Sequence, residues 1–415
     1  MKKVIMLLTI VCASYMSGNA KTEIYNNFKI EKYSPQSEVI KIKGRIIDKK
    51  TGEPVPYVNI AIVGVPIGTI SNQNGDFELK IPGQLEDREF SISAIGYGMI
   101  SLSVAEYKAR EDVLIELIPE EYKIEEVDIQ AKSLVFYKRI KETIGKFNDN
   151  YYQKPYNYDI YYRCEKMKND TLTRLREAAV KIYDSKGYVR NNTHKVFKQR
   201  NYKFLQVKRN FESSSLADAS TNLDDLLEMD IVRISGNVLD KKYLDLFDLK
   251  LERITEYDND SVWVISYKCE KPKLSYTGDY YAVKYEGKLY INQKDMAVVK
   301  NETSVESSNY SELGRSFYVN EDKQGWKRNS VKYDFTVIYK KHSGFYYLSY
   351  VNYNRYHVLE NKKTGIIKNE QIKTEMMINK IEIETPEKIE QRAYYENIPF
   401  DKDFWENYNY MPDIK

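Results

Sequence analysis

Three stretches decide the fold: Gly44-Arg-Ile-Ile-Asp48, Thr51-Gly-Glu-Pro-Val-Pro-Tyr-Val-Asn-Ile60 and Gly68-Thr-Ile-Ser-Asn-Gln-Asn-Gly-Asp-Phe77. In each, an apolar run too short for a helix is joined to a turn signal. Gly52 can take the positive φ that closes a hairpin, and Pro54 keeps its stretch out of a sheet ladder. Asn74-Gly75 suits left-handed backbone, and Phe77 can then drop into a core. Working outward, strand-like runs cover Val39–Asp48, Tyr57–Val63, Gly68–Ser71, Phe77–Ile81, Glu89–Ala94, Met99–Val104 and Val113–Leu117. Short runs divided by turns at a spacing of about 8–12 residues predict an all-β sandwich over 41–119 rather than βα units.

With Ser93-Ala-Ile-Gly-Tyr97 added, these motifs resemble the carboxypeptidase-regulatory-like (transthyretin-like) domain, a module common in Bacteroidetes envelope proteins. Ser71-Asn72 stands where that family usually has Thr-Asp. The resemblance implies a seven-stranded sandwich with no chemistry of its own. Gly44, Gly52, Pro54, Gly75, Phe77, Gly96 and Tyr97 are its expected structural residues.

After Glu120 the pattern changes. Residues 120–132 read as a connecting strand or linker, with Lys123–Ala131 extended. Phe136, Ile140, Ile144 and Phe147 then fall at helical spacing, which predicts an amphipathic helix over Ser133–Asn148 with Ser133 as its cap. Alternating runs follow at Tyr156–Met167, Ala178–Tyr183, Leu249–Thr255, Val262–Glu270, Tyr280–Tyr285, Lys288–Asn292, Ala297–Glu302, Val331–Tyr339 and Phe345–Tyr356. A short acidic helix near Asn222–Met229 interrupts them, and Asp258-Asn259-Asp260 and His342-Ser343-Gly344 read as hairpin turns. Residues 133–415 are therefore expected to form a larger α+β domain, a curved antiparallel sheet packed on helices, in a mainly β protein.

This second domain resembles an uncharacterised Bacteroidetes envelope family. The resemblance rests on the helix followed by Tyr161-Tyr-Arg163, on Glu177-Ala178, on the hairpin Gly287–Ile291 to Ala297–Val299, and on Phe404-Trp405-Glu406-Asn407-Tyr408-Asn409. It implies an open, bent sheet reminiscent of periplasmic lipoprotein carriers, with Trp405 as a motif residue. Many members continue into an outer-membrane barrel, whereas this sequence stops at Lys415 and none is expected.

The N-terminus reads as a signal peptide over 1–20. Met1-Lys2-Lys3 is the basic start, Val4–Met16 the apolar run, and Gly18-Asn19-Ala20 the cleavage site. The apolar run is shorter than the roughly 20 residues of a membrane span. Val11 before Cys12, with Tyr15-Met16 continuing the run, argues against lipidation at Cys12. Residues 21–40 read as a polar linker. An exported protein of the periplasm or outer-membrane surface is expected, with no transmembrane segment after cleavage. Cys164 and Cys269, both in strand-like runs on the apolar parity, read as two buried free thiols. An oxidising compartment would permit a disulfide, which spacing cannot establish.

The 64 Lys and Arg nearly balance 61 Asp and Glu and are interspersed with them, which argues against nucleic-acid binding. Tyrosine is abundant, with 38 residues against 14 Phe and 3 Trp, and suits the pleated surface of a β-rich protein. His357-Val-Leu-Glu360 could offer two zinc ligands, but a carboxypeptidase site needs a further His downstream and His357 is the last. His194 and His342 read as surface residues. No nucleophile elbow, phosphate loop, dinucleotide fingerprint or Cys-rich zinc motif occurs. The protein is expected not to be an enzyme, and no cofactor or metal is expected. Three binding roles remain: a scaffold or accessory factor with an envelope protein partner, a carrier of an apolar lipid or acyl chain, and a glycan binder. The candidate ligand-facing aromatics are Tyr276, Tyr280, Tyr281 and Tyr285, and Tyr346, Tyr347, Tyr350 and Tyr353.

Overall fold

The computed structural model describes residues 38–122, 129–191, 199–212, 223–279, 282–307, 325–390 and 398–413. The signal peptide, Cys12, nearly all of the expected linker, His194, Tyr280 and Tyr281 lie outside them. Seven strands form the N-terminal unit: β1 (Val39–Asp48), β2 (Asn59–Ile62), β3 (Gly68–Ile70), β4 (Asp76–Pro82), β5 (Glu89–Ser93), β6 (Ile100–Ser103) and β7 (Val113–Leu117). They make two sheets, β4-β1-β7 and β3-β2-β5-β6. Alternate residues Ile42, Ile46, Ile60, Ile62, Phe77, Leu79, Phe90 and Ile92 fill the space between, each at most 2% exposed. Gly44 has to be glycine, since a Cβ there would lie 2.1 Å from the Val113 carbonyl oxygen on the neighbouring strand.

The chain leaves the sandwich through the short connecting strand β8 (Glu121–Tyr122), which pairs with Ile254 and Thr255 and so joins the second sheet. A helix runs over Ile129–Gly145 and a further turn over Phe147–Asn150. Residues 129–131, expected to be extended, are helical, and Ser133 lies inside the helix rather than capping it. Phe136, Ile140 and Phe147 are buried, as their spacing requires.

The second unit is one sheet in the order β11-β10-β9-β18-β17-β16-β15-β14-β13-β12-β8. Its strands are β9 (Tyr156–Lys168), β10 (Thr171–Asp184), β11 (Arg200–Glu212), β12 (Asp248–Tyr257), β13 (Asp260–Cys269), β14 (Ala282–Asn292), β15 (Val298–Ser307), β16 (Trp326–His342), β17 (Phe345–Asn361) and β18 (Ile367–Glu382). Nearly every neighbour follows in sequence, and β18 returns to pair with β9. Asn169-Asp170, Asp258-Asn259 and Ser343-Gly344 all have positive φ, the geometry of tight two-residue hairpins.

A side-chain row can be followed across ten strands of this sheet. Leu249, Tyr267, Gly287, Thr303, Phe335, Tyr353, Thr374, Cys164, Arg176 and Asn210 are register partners in turn. From Leu249 to Phe335 and at Tyr353 and Cys164 this row joins the main core, beneath the helices. The adjacent row, Lys250, Ser266, Lys288, Glu302, Thr336, Asn352, Glu375, Arg163, Glu177 and Arg209, faces the other way. That second face carries the features that matter for function. Cys164 and Cys269 are free and buried, as expected. Five strands separate β9 from β13, which at about 4.8 Å per step puts them far beyond the reach of a disulfide.

Candidate functional site

The tyrosines proposed as a ligand surface are in the interior. Tyr276, Tyr285, Tyr346, Tyr347, Tyr350 and Tyr353 are each 6% exposed or less, which corrects the expectation of an exposed aromatic platform. Their hydroxyls or rings are used inside: Tyr346 donates to Asp295 at 2.9 Å, Tyr350 to Glu375 at 2.7 Å, and Tyr276 packs on Tyr243 with centroids 5.5 Å apart. Tyr151, Tyr156, Tyr158, Tyr188 and Tyr347 form a ring cluster between sheet and helices. Such a cluster fills the space between sheet and helices with protein.

Beside this cluster lies a sealed charge quartet. The Arg233 Nη2 donates to both Asp184 oxygens at 3.0 and 2.9 Å, and Arg200 Nε donates to Asp184 at 3.2 Å. Asp230 accepts from the Tyr339 hydroxyl at 2.7 Å and from the Arg233 backbone N–H at 3.2 Å. Burial pushes the Asp230 carboxyl up against the pull of Arg200. None of the four side chains is more than 4% exposed, so no substrate reaches them. Their balanced charge fixes the packing of the interior.

The HxxE pair fails on geometry as well as on ligand count. On β17, His357 and Glu360 are three residues apart and therefore lie on opposite faces of a strand. Among the described residues no group of three or more His, Cys, Asp or Glu is arranged to hold a metal ion. His342 is not a free surface residue: burial, with Lys340 beside it, lowers its pKa in a crevice of about 70 Å³ between β2–β3 and β16–β18.

The sandwich is docked on the outer face of the sheet. Tyr57, held at φ 58°, stacks on Tyr350 with centroids 4.8 Å apart and takes a hydrogen bond from Asn352. Positive φ is strained for an aromatic residue and here puts the ring on the second domain. The C-terminal segment, with a short helix over Lys402–Asn407, clasps the same seam. The Asn409 amide accepts from the Lys80 N–H at 2.8 Å and donates to the Lys80 carbonyl at 3.2 Å, imitating a strand on the free edge of β4. The Lys80 ammonium donates to the carbonyls of Trp405 (2.6 Å) and Tyr408 (3.0 Å) and lies 4.0 Å from the centroid of the Tyr410 ring. Trp405 is 4% exposed, and Asp413 closes the clasp on Arg209 with two bonds of 3.0 and 2.5 Å.

Farther along this face, beyond the clasp, β12–β16 form an open trough of about 540 Å³. Its lining comes from two neighbouring outer rows, with Lys250 and Lys288 from one and Asp248 and Asp334 from the other. None of these four has an ion-pair partner among the described residues. The other charges are satisfied locally: Lys268 by Glu270 at 2.5 Å, Glu302 by Lys300 at 2.6 Å, and Glu286 by Lys284 at 2.7 Å. Ser266, Ser304 and Thr336 add hydroxyls. The rings of Tyr267 and Phe335, 1% and 2% exposed, belong to the core below. Beneath the trough, Gly287 on the core-facing row leaves room for Tyr267, because a Cβ would lie 2.1 Å from the Glu302 carbonyl and 2.4 Å from the Tyr267 hydroxyl. The charge alternation is visible in the sequence, but recognising a trough needs the strand register.

Residues 42–129 match the family model described as the CarboxypepD_reg-like domain, and this segment is such a domain. No curated protein matches the chain. Among solved structures, the chain is similar to a LolA superfamily protein from Nitrosomonas europaea at 12% identity and TM-score 0.21, covering 60% of this chain and 94% of that one. It is also similar to a DUF1329 family protein from Desulfovibrio piger ATCC 29098 at 10% identity and TM-score 0.22, covering 60% and 93%. Superpositions this loose carry no functional reading. No helix of the described residues is long and apolar enough to cross a membrane.

Proposed function

We propose that this chain is a non-catalytic, exported binding protein of a bacterial envelope, a scaffold or accessory factor that receives a protein partner in the trough of β12–β16. One observation carries the reading: the trough presents unpaired charges of both signs, Lys250 and Lys288 with Asp248 and Asp334, among hydroxyls. Complementary charge of mixed sign sets register and excludes wrong partners, which is what a protein surface can supply. A sugar ring would be served by an exposed aromatic, and the rings here lie under the strands. The clasped sandwich makes a rigid mount for that face.

The test is the double charge reversal Lys250→Glu/Lys288→Glu in the full-length chain, purified gently from its native envelope and weighed intact with whatever co-elutes. A stoichiometric protein partner should accompany the unaltered chain and be lost from the variant. A lipid adduct with no protein partner would replace this reading with the carrier.

A further inference from the structure

Next to the trough, at the helical end of the sheet, three short segments come together: the turn over Leu244–Leu246, the helix Leu274–Thr277 and the start of β14. Ring contacts join them below the surface, with Tyr243 on Tyr276 at 5.5 Å and Phe247 on Tyr276 and Tyr285 at 6.3 and 6.1 Å. Above those rings each segment turns one aliphatic side chain to solvent: Leu246 is 49%, Leu274 37% and Val283 58% exposed. Single exposed aliphatics are ordinary, whereas three on adjoining segments form a group.

The charge around this group is mainly positive. Lys241, Lys242, Lys271 and Lys273 are exposed and have no ion-pair partner among the described residues. Among the nearby acids Asp248, at the rim of the trough, is unpaired, and the others are occupied. Asp245 pairs with Lys141 at 3.6 Å, Glu270 with Lys268 at 2.5 Å and Glu286 with Lys284 at 2.7 Å, while Asp240 accepts from the Gly236 and Lys242 N–H groups at 3.1 Å. Free cations thus ring a small apolar centre.

We infer that this end of the molecule rests on an anionic lipid surface, with Leu246, Leu274 and Val283 entering the headgroup layer and the four lysines facing lipid phosphates. Charge complementarity selects the occupant: apolar tips enter the acyl boundary while lysine stems lie along it and their ammonium groups stay with the anions. The attraction acts within a Debye length, about 10 Å at 0.1 M salt, so it requires the tips to be at the surface. The inference is independent of what the trough binds.

Vesicle co-sedimentation of the full chain tests it, using equal parts phosphatidylglycerol and phosphatidylcholine against phosphatidylcholine alone. Binding is expected only to the anionic vesicles, should fall as salt rises, and should drop about tenfold or more when the four lysines become glutamate. Leu246→Ser/Leu274→Ser/Val283→Ser should remove the part of the binding that resists salt. Both variants alter exposed positions, and a thermal midpoint equal to that of the unaltered chain confirms that lost binding is not lost folding. The trough variant Lys250→Glu/Lys288→Glu should bind vesicles normally. Failure of the unaltered chain to sediment, or unchanged sedimentation of the lysine variant, would overturn the inference. Equal binding to soluble polyglutamate, with the serine variant unaffected, would also overturn it by assigning the patch to an acidic protein.

Discussion

Asp184 and Asp230 face Arg200 and Arg233 in an interior where none of the four is more than 4% exposed. An apolar replacement of the whole quartet could be nearly neutral, but removing one member leaves an uncompensated buried charge. Asp184→Ala should therefore cost about 3–5 kcal/mol in urea unfolding, well above the usual cost of a point substitution. Lys80 makes a different statement. Burial pulls its ammonium from 10.5 down to about 8, and Glu78 only partly opposes this. Because the folded state gives up the proton first, the unfolded chain binds more protons between those values and stability must rise with pH. The unfolding free energy of the unaltered chain relative to Lys80→Met should therefore increase from about pH 8 to pH 10.5. A flat difference would mean that the clasp does not bury this charge. The tyrosines belong to the same scale. Their number announces a β-rich protein, yet which face each ring takes depends on register and on what covers the sheet. Tyr350, turned outward on β17, is buried because Tyr57 and its neighbours in the seam with the sandwich and clasp cover it.

At the scale of elements, the sandwich was legible because its runs alternate cleanly and its turns carry Gly52, Gly75 and Pro54. All seven strands lie within or beside the expected runs. Strands β11 and β18 escaped notice for a physical reason. In β18, Glu370 and Glu375 are 5% and 4% exposed, with Lys166 at 3.3 Å from Glu370 and Lys373 at 3.2 Å from Glu375. Buried ion pairs erase the apolar period that marks a strand. In β11, Lys and Arg on the outer face do the same at a sheet edge. Gly287 misled in the opposite sense, dividing one strand into Tyr280–Tyr285 and Lys288–Asn292, because glycine suggests a turn. Here it answers to the ring of Tyr267 across the strand. Gly287→Ala should force that ring or β15 aside and destabilise the protein by about 1–3 kcal/mol, measurable as a lowered thermal midpoint. An unchanged midpoint would show that Tyr267 does not lie over the glycine.

At the scale of the whole molecule, sandwich, sheet and C-terminal clasp pack against one another, and the candidate binding surface is the trough on the outer face of the sheet. The trough was not legible in the sequence. Lys250, Lys288, Asp248 and Asp334 come from three strands, β12, β14 and β16, whose register alone brings them together. The most direct measurement is photo-crosslinking in the native envelope from a reactive residue placed at Ser304 in the trough, with Leu114 on the exposed face of the sandwich as the control position. Mass spectrometry should find one protein joined to the chain through position 304 and not through 114. A lipid or glycan adduct at 304, or the same products from both positions, would contradict the proposal that this sheet face holds a protein partner.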